Sequence, residues 1–144
     1  MTAERLGNID QLEADLRRML ELKPGDATAL NALGYTLANR TERLDEAEEF
    51  ILAAYDQRPN DAAIIDSLGW LRFRQGRPDE ALPYLQQAWE MFPDQEVAAH
   101  LGEVLWVLGQ QAEARKLWKK ALKAQPDSRA IPEVVLRLTG SSQP

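Results

Sequence analysis

Ile65-Asp66-Ser67-Leu68-Gly69-Trp70 decides the fold, because the chain writes that phrase three times. Leu30-Asn31-Ala32-Leu33-Gly34-Tyr35 stands 35 residues before it, and Ala98-Ala99-His100-Leu101-Gly102-Glu103 stands 33 after it. Prolines keep the same beat at Pro24, Pro59, Pro93 and Pro126, with intervals of 35, 34 and 33. A period near 34 over most of a chain marks a helical repeat array. Such arrays present long curved surfaces, which points to recognition ahead of chemistry in a pocket.

Working outward from each Leu-Gly pair, an alanine and a large apolar residue follow in step. The first unit has Ala47, Ile51 and Ala54, the second Ala81, Leu85 and Ala88, the third Ala114, Trp118 and Ala121. A glycine inside a helix costs about 1 kcal/mol relative to alanine, so a periodic one calls for close packing of two antiparallel helices. Gly-to-Ala is 12 residues in the second and third units and 13 in the first. The extra residue falls within Asn39–Arg43, where a longer turn is expected. Asp26, Asp61 and Asp94 sit where helices should begin and can cap free amides. Arg77-Pro78-Asp79-Glu80 reads as a helix start, with proline and two acids in the first turn.

The spacing and residue types resemble the tetratricopeptide repeat (TPR), and the likeness covers roughly residues 3–128. Arg72 departs from the expected tyrosine, and Leu12 from the expected small residue. The resemblance implies an all-α, right-handed TPR superhelix of antiparallel helix pairs: three full repeats, an N-terminal half repeat and a C-terminal capping helix. In residues, 8–26 is helix B of a truncated repeat, with only a stub at Thr2–Leu6 for its partner. Full repeats follow at 27–61, 62–94 and 95–128, then a capping helix at 129–139 and a tail at 140–144. The irregular start reads as the C-terminal part of a larger protein. It is expected to leave Ile9 and Leu16 partly exposed and open to weak self-association through the N-terminal edge.

Composition narrows the function. Seventeen basic residues stand against 23 acidic, net −6, with no basic cluster to meet a phosphate backbone, so nucleic acid is not the expected partner. No apolar run approaches the roughly 20 residues that cross a bilayer, and Met1–Asp10 carries no apolar signal core. Without cysteine there is neither disulfide nor thiolate chemistry. His100 is the only imidazole, too few for a zinc site or a catalytic triad, and reads as a surface or groove-lining residue. Glu46, Glu48 and Glu49 read as a solvated helix face. No catalytic residue, metal or cofactor is expected, and the chain reads as a non-enzyme.

The resemblance turns the first helix of each repeat toward a concave groove. Its stripe comprises Asn31, Tyr35 and Asn39, then Asp66, Trp70, Phe73 and Arg74, then Glu103 and Trp106, with Arg137 opposite. A protein or peptide ligand is the expected occupant, and Trp70, Phe73 and Trp106 are expected to form one aromatic strip. On that reading Trp70→Ala weakens capture by about 30-fold or more and barely changes melting. Trp118 is expected in the core and Trp89 between repeats. Chaperone-binding relatives clamp a terminal carboxylate with Lys, Asn and Arg. The matching positions here are Asn31, Tyr35, Ser67, Glu96 and His100, so a peptide ending in Glu-Glu-Val-Asp is expected to bind no tighter than its scramble.

The three quoted phrases also resemble the C-terminal repeats of a bacterial outer-membrane TPR lipoprotein family, one member of which serves as adaptor for a periplasmic carboxy-terminal processing protease. That likeness implies a periplasmic, membrane-tethered parent. The broader family alone leaves a cytoplasmic site open, and a structural self-assembly segment is the alternative to an adaptor.

Overall fold

The chain is seen in a computed structural model that describes the backbone of residues 3–144 and the side chains from Asn8 onward. Among the described residues there are eight helices and no strand. They are α1 (Ala3–Leu22), α2 (Ala27–Arg40), α3 (Leu44–Gln57), α4 (Ala62–Arg74), α5 (Pro78–Met91), α6 (Gln95–Val107), α7 (Gln111–Ala124) and α8 (Ala130–Thr139). Helices α2/α3, α4/α5 and α6/α7 form hairpins, while α2, α4, α6 and α8 pack in series along the inner face. The inner helices are covered on more sides: α4 buries eight residues, whereas its outer partner α5 buries three. The result is the right-handed superhelix expected from the repeat.

Among the inner helices, α2, α4 and α6 each start at an aspartate. Asp26 accepts from the Thr28 N–H at 3.1 Å, Asp61 from Ala63 at 2.9 Å and Asp94 from Glu96 at 3.0 Å. Such caps contribute about 1 kcal/mol each. The outer helices have no side-chain cap, and α5 begins on Pro78 with Asp79 and Glu80 in its first turn.

The Leu-Gly phrase is explained by contact. A Cβ added at Gly69 would lie 2.8 Å from Leu85 Cγ, and one at Gly102 would lie 2.8 Å from Trp118 Cδ1 and closer still to the indole nitrogen. Inner and outer helices therefore meet at their glycines, with Ile51, Leu85 and Trp118 filling one slot in successive repeats. All three are fully buried, and Trp118 Nε1 has no hydrogen-bond acceptor. Trp89 packs between repeats, against both the Leu85 and the Ala88 clusters.

Four local expectations need correction. The first inter-helix turn is no longer than the others: residues 41–43, 75–77 and 108–110 form three-residue turns, and α2 absorbs the extra residue. Gly76 and Gly109 make their turns at φ +81° and +85°, a region that favours glycine. The first turn instead uses Thr41, whose hydroxyl donates to Leu37 O at 2.6 Å and accepts from the Arg43 N–H at 3.0 Å.

At the N-terminal edge, Ile9 and Leu16 are buried. Among the described side chains of α1, the large apolar residues that are exposed are Leu12, Met19 and Leu22, at 44, 46 and 79%. Residues 9 and 16 share one helical stripe against the next repeat, whereas 12 and 19 share the adjacent stripe. The expected stub is continuous with α1 from Ala3, and Thr2 lies outside the described residues.

Glu46 and Glu48 are not simply solvated. Glu46 pairs with Arg17 of α1, and Glu48 pairs with Arg72 of α4. Arg72, in the place of the expected aromatic, thus ties one repeat to the next by charge. The Arg72 hydrogen bond holds the Glu48 carboxyl below its ordinary value of 4.5. A depressed carboxylate contributes stability above its unfolded pKa that is lost as pH falls through the folded value. Glu48→Gln should therefore flatten the fall in melting temperature below pH 4.5. At neutral pH it should cost less than about 1 kcal/mol, because the pair is partly solvated. Equal acid sensitivity in both proteins would refute the assignment.

Candidate functional site

The inner face encloses a groove of about 810 Å³, lined mainly from α2, α4, α6 and α8, together with Leu12 of α1 and Phe92 at the end of α5. Repeat register places its residues. The position after each glycine carries Tyr35, Trp70 and Glu103, and all three line the groove. Three positions before each glycine stand Asn31, Asp66 and Ala99, which line it too.

His100 is the hub of the floor. It is buried, with Nδ1 3.0 and 3.2 Å from the two Asp66 carboxylate oxygens and Nε2 3.1 Å from the Tyr35 hydroxyl. A carboxylate only accepts, so Nδ1–H donates to Asp66, and in the neutral ring Nε2 accepts from Tyr35 O–H. Burial, helped by the Asp66 and Glu96 carboxylates, pushes the Tyr35 phenol well above its ordinary value. The phenol therefore stays protonated and able to donate. Trp70 stacks on His100 with ring centres 4.2 Å apart, and its indole N–H donates to Asn39 Oδ1 at 3.0 Å. The network joins α2, α4 and α6, the inner helices of three successive repeats.

One turn away, Arg137 of α8 makes two hydrogen bonds to the Glu103 carboxylate of α6, one at 3.1 Å. Ser67 Oγ bonds its own helix at Ala63 O. Asn31 Oδ1 is buried without a donor. An unmet buried acceptor costs about 1–3 kcal/mol.

Of the residues expected in the groove, Asn31, Tyr35, Asn39, Asp66, Trp70, Glu103 and Arg137 line it, whereas Phe73, Arg74 and Trp106 do not. Phe73 and Trp106 occupy the same register, four residues after the glycine, as does fully buried Ala38. That position faces the helix packing. Phe73 stacks behind Trp70, and Trp106 packs beside Trp118 under the Arg115 guanidinium. Arg74 is drawn aside, donating to Ala38 O at 3.0 Å and pairing with Glu42 at 3.3 Å. The expected aromatic strip is therefore broken after Trp70. Trp70 itself is only 7% exposed and belongs to the floor's packing.

The groove also has lining residues that sequence reasoning missed: Arg40, Phe92, Arg129 and Glu133. Phe92 could have been found by register. The residue before the closing proline is Lys23, Arg58 and Gln125 in the other units, and phenylalanine only here.

Known proteins place the chain. Residues 25–94 and 72–131 match two tetratricopeptide repeat families. A TPR repeat-containing protein of Pseudomonas aeruginosa is 53% identical over 103 residues, 72% of this chain and 18% of that protein. The type IV pilus assembly protein PilF of the same organism is 29% identical over 92% of this chain and 52% of its own length. The chain thus spans about half or less of these relatives. A solved structure of Pseudomonas aeruginosa PilF superposes with a TM-score of 0.73 at 26% identity, covering 93% of this chain and 60% of that one. A thermophilic TPR protein of Thermus thermophilus superposes with a TM-score of 0.75 at 20% identity, over 94% of this chain and 74% of that one.

Proposed function

Because the chain belongs to the tetratricopeptide repeat family, we propose that its concave groove holds a segment of a protein partner, with no catalysis by the chain itself. The observation that carries this reading is the groove floor, fixed across three repeats by the Tyr35–His100–Asp66 bonds and the Trp70–Asn39 bond. A surface whose side chains are already held loses little rotamer freedom on binding, which favours affinity.

The finer reading is an adaptor or scaffold for a periplasmic carboxy-terminal processing protease, at the outer membrane. It is supported by the likeness of the three Leu-Gly phrases to that lipoprotein family. The test is titration calorimetry with the carboxy-terminal processing protease of a bacterium that carries this chain. Micromolar or tighter binding is expected, and Ala63→Trp should abolish it by placing bulk on an exposed groove-lining position without entering the core. No heat of binding would end the adaptor reading.

A second reading, self-assembly, is favoured by exposed Leu12, Met19 and Leu22 along α1. An apolar row of that kind tends to find a cover. Concentration-dependent light scattering that disappears in Met19→Lys/Leu22→Lys, two exposed positions outside the groove, would support it, whereas a constant monomer mass would remove it.

A further inference from the structure

We infer that Phe92 is the anchor of the groove, on which the partner lays an apolar side chain, and that the partner segment carries a basic side chain beside it. This rests on the peptide-binding reading above and names the chemistry of its ligand.

Phe92 caps α5 and is 62% exposed while lining the groove. The other three repeats place Lys23, Arg58 or Gln125 at this position, so repeat packing does not require an aromatic ring there. An exposed phenylalanine at the wall of a concave surface is an unfilled contact, and aromatic anchors commonly dominate the energy of such interfaces. Buried Val97 and half-buried Ala130 line the same groove and extend its apolar surface.

The charge argument selects the partner. Five carboxylates line the groove, Asp66, Asp94, Glu96, Glu103 and Glu133, against three guanidiniums, Arg40, Arg129 and Arg137. Asp66 is bonded to His100, Glu103 is paired with Arg137, and Asp94 caps α6. Glu96 and Glu133 remain, exposed and without an ion pair among the described residues, as do the guanidiniums of Arg40 and Arg129. It is therefore the lining's excess of two carboxylates over guanidiniums that favours a basic segment. The two glutamates stand in the first turns of α6 and α8, close in sequence to Val97 and Ala130. The chain's net charge of −6 favours encounter with a basic segment over an acidic one. An acidic segment, by contrast, would meet an excess of like charge.

The experiment is panning of a random dodecapeptide phage library on the whole chain, followed by titration of the enriched peptides against variants. Enriched peptides should combine Lys or Arg with a large apolar residue. Phe92→Ala should weaken them by about 10-fold or more without altering helicity or melting, since the ring is exposed. Glu96→Gln/Glu133→Gln should weaken them several-fold at low salt and little at high salt. Leu136→Ala, exposed on α8 outside the groove, should change nothing. Peptides that Ala63→Trp displaces but that are acidic, or indifferent to Phe92→Ala, would overturn this inference and leave the groove reading intact. A library that yields no peptide, or only peptides insensitive to Ala63→Trp, would overturn both.

Discussion

Gly102→Ala is expected to cost about 3 kcal/mol, at the upper end of overpacking penalties, and to lower the melting temperature by roughly 6–12 °C. The reason is geometric. The new methyl would occupy the space of the Trp118 indole, which is fully buried and has nowhere to retreat. Trp118→Ala should cost about 3–5 kcal/mol by leaving a cavity. The two sites touch, so their effects should not add. In the double variant the methyl introduced by Gly102→Ala enters the space that the indole vacated, and the total loss should fall short of the sum by about 0.5–3 kcal/mol. Thermal or denaturant melts of the four proteins measure this directly. Strict additivity would mean that the glycine is there for some reason other than the close approach of α6 and α7.

Trp70→Ala should damage both stability and binding, correcting the expectation that melting would barely change. Its ring is buried between His100 and Phe73, with centroids at 4.2 and 5.0 Å, and its N–H bonds to Asn39. Truncation should therefore cost about 3–5 kcal/mol, comparable to Trp118→Ala. Trp70→Phe separates the contributions. It keeps a ring over His100 and loses the Asn39 bond, worth about 1 kcal/mol. The phenylalanine variant should melt only a few degrees below the parent and well above Trp70→Ala, while binding enriched peptides more weakly, because Asn39 is no longer held at the groove wall. If Trp70→Ala melts like the parent, the stacked floor is wrong. If Trp70→Phe binds like the parent, the Asn39 bond has no part in recognition.

The scaffold is legible in the sequence because its determinants are local. Leu-Gly, a later alanine and a closing proline each act within one hairpin, and an aspartate cap acts within one turn. The groove is legible only in part. A shared helix face groups Trp70, Phe73 and Trp106 in one strip, yet Phe73 and Trp106 stand three residues further along the repeat than Trp70. Aligning them with Ala38 turns them toward the core.

The floor contacts are hidden for another reason: they cross repeats. Asp66 meets His100, and Glu103 meets Arg137, each pair 34 residues apart. For Asp66 that is one residue beyond the 33 that separate its repeat from the next: its equivalent is Ala99, and it pairs with the residue beside that position. Repeat register alone therefore names the neighbourhood of each contact and not the partner. Phe92 escapes because it lies at a helix end, where helical periodicity has nothing to report.

The bond between Tyr35 and His100 has a consequence for how the array comes apart. Repeat arrays are commonly treated as a row in which each unit interacts only with the next, so that ends can melt independently of the middle. Tyr35 belongs to the first full unit and His100 to the third, and their side chains meet over the second. This adds a coupling beyond nearest neighbours, and it enlarges the block that must open together. Slow amide exchange in α2, α4 and α6 should thus share one opening free energy, with α1 fraying separately.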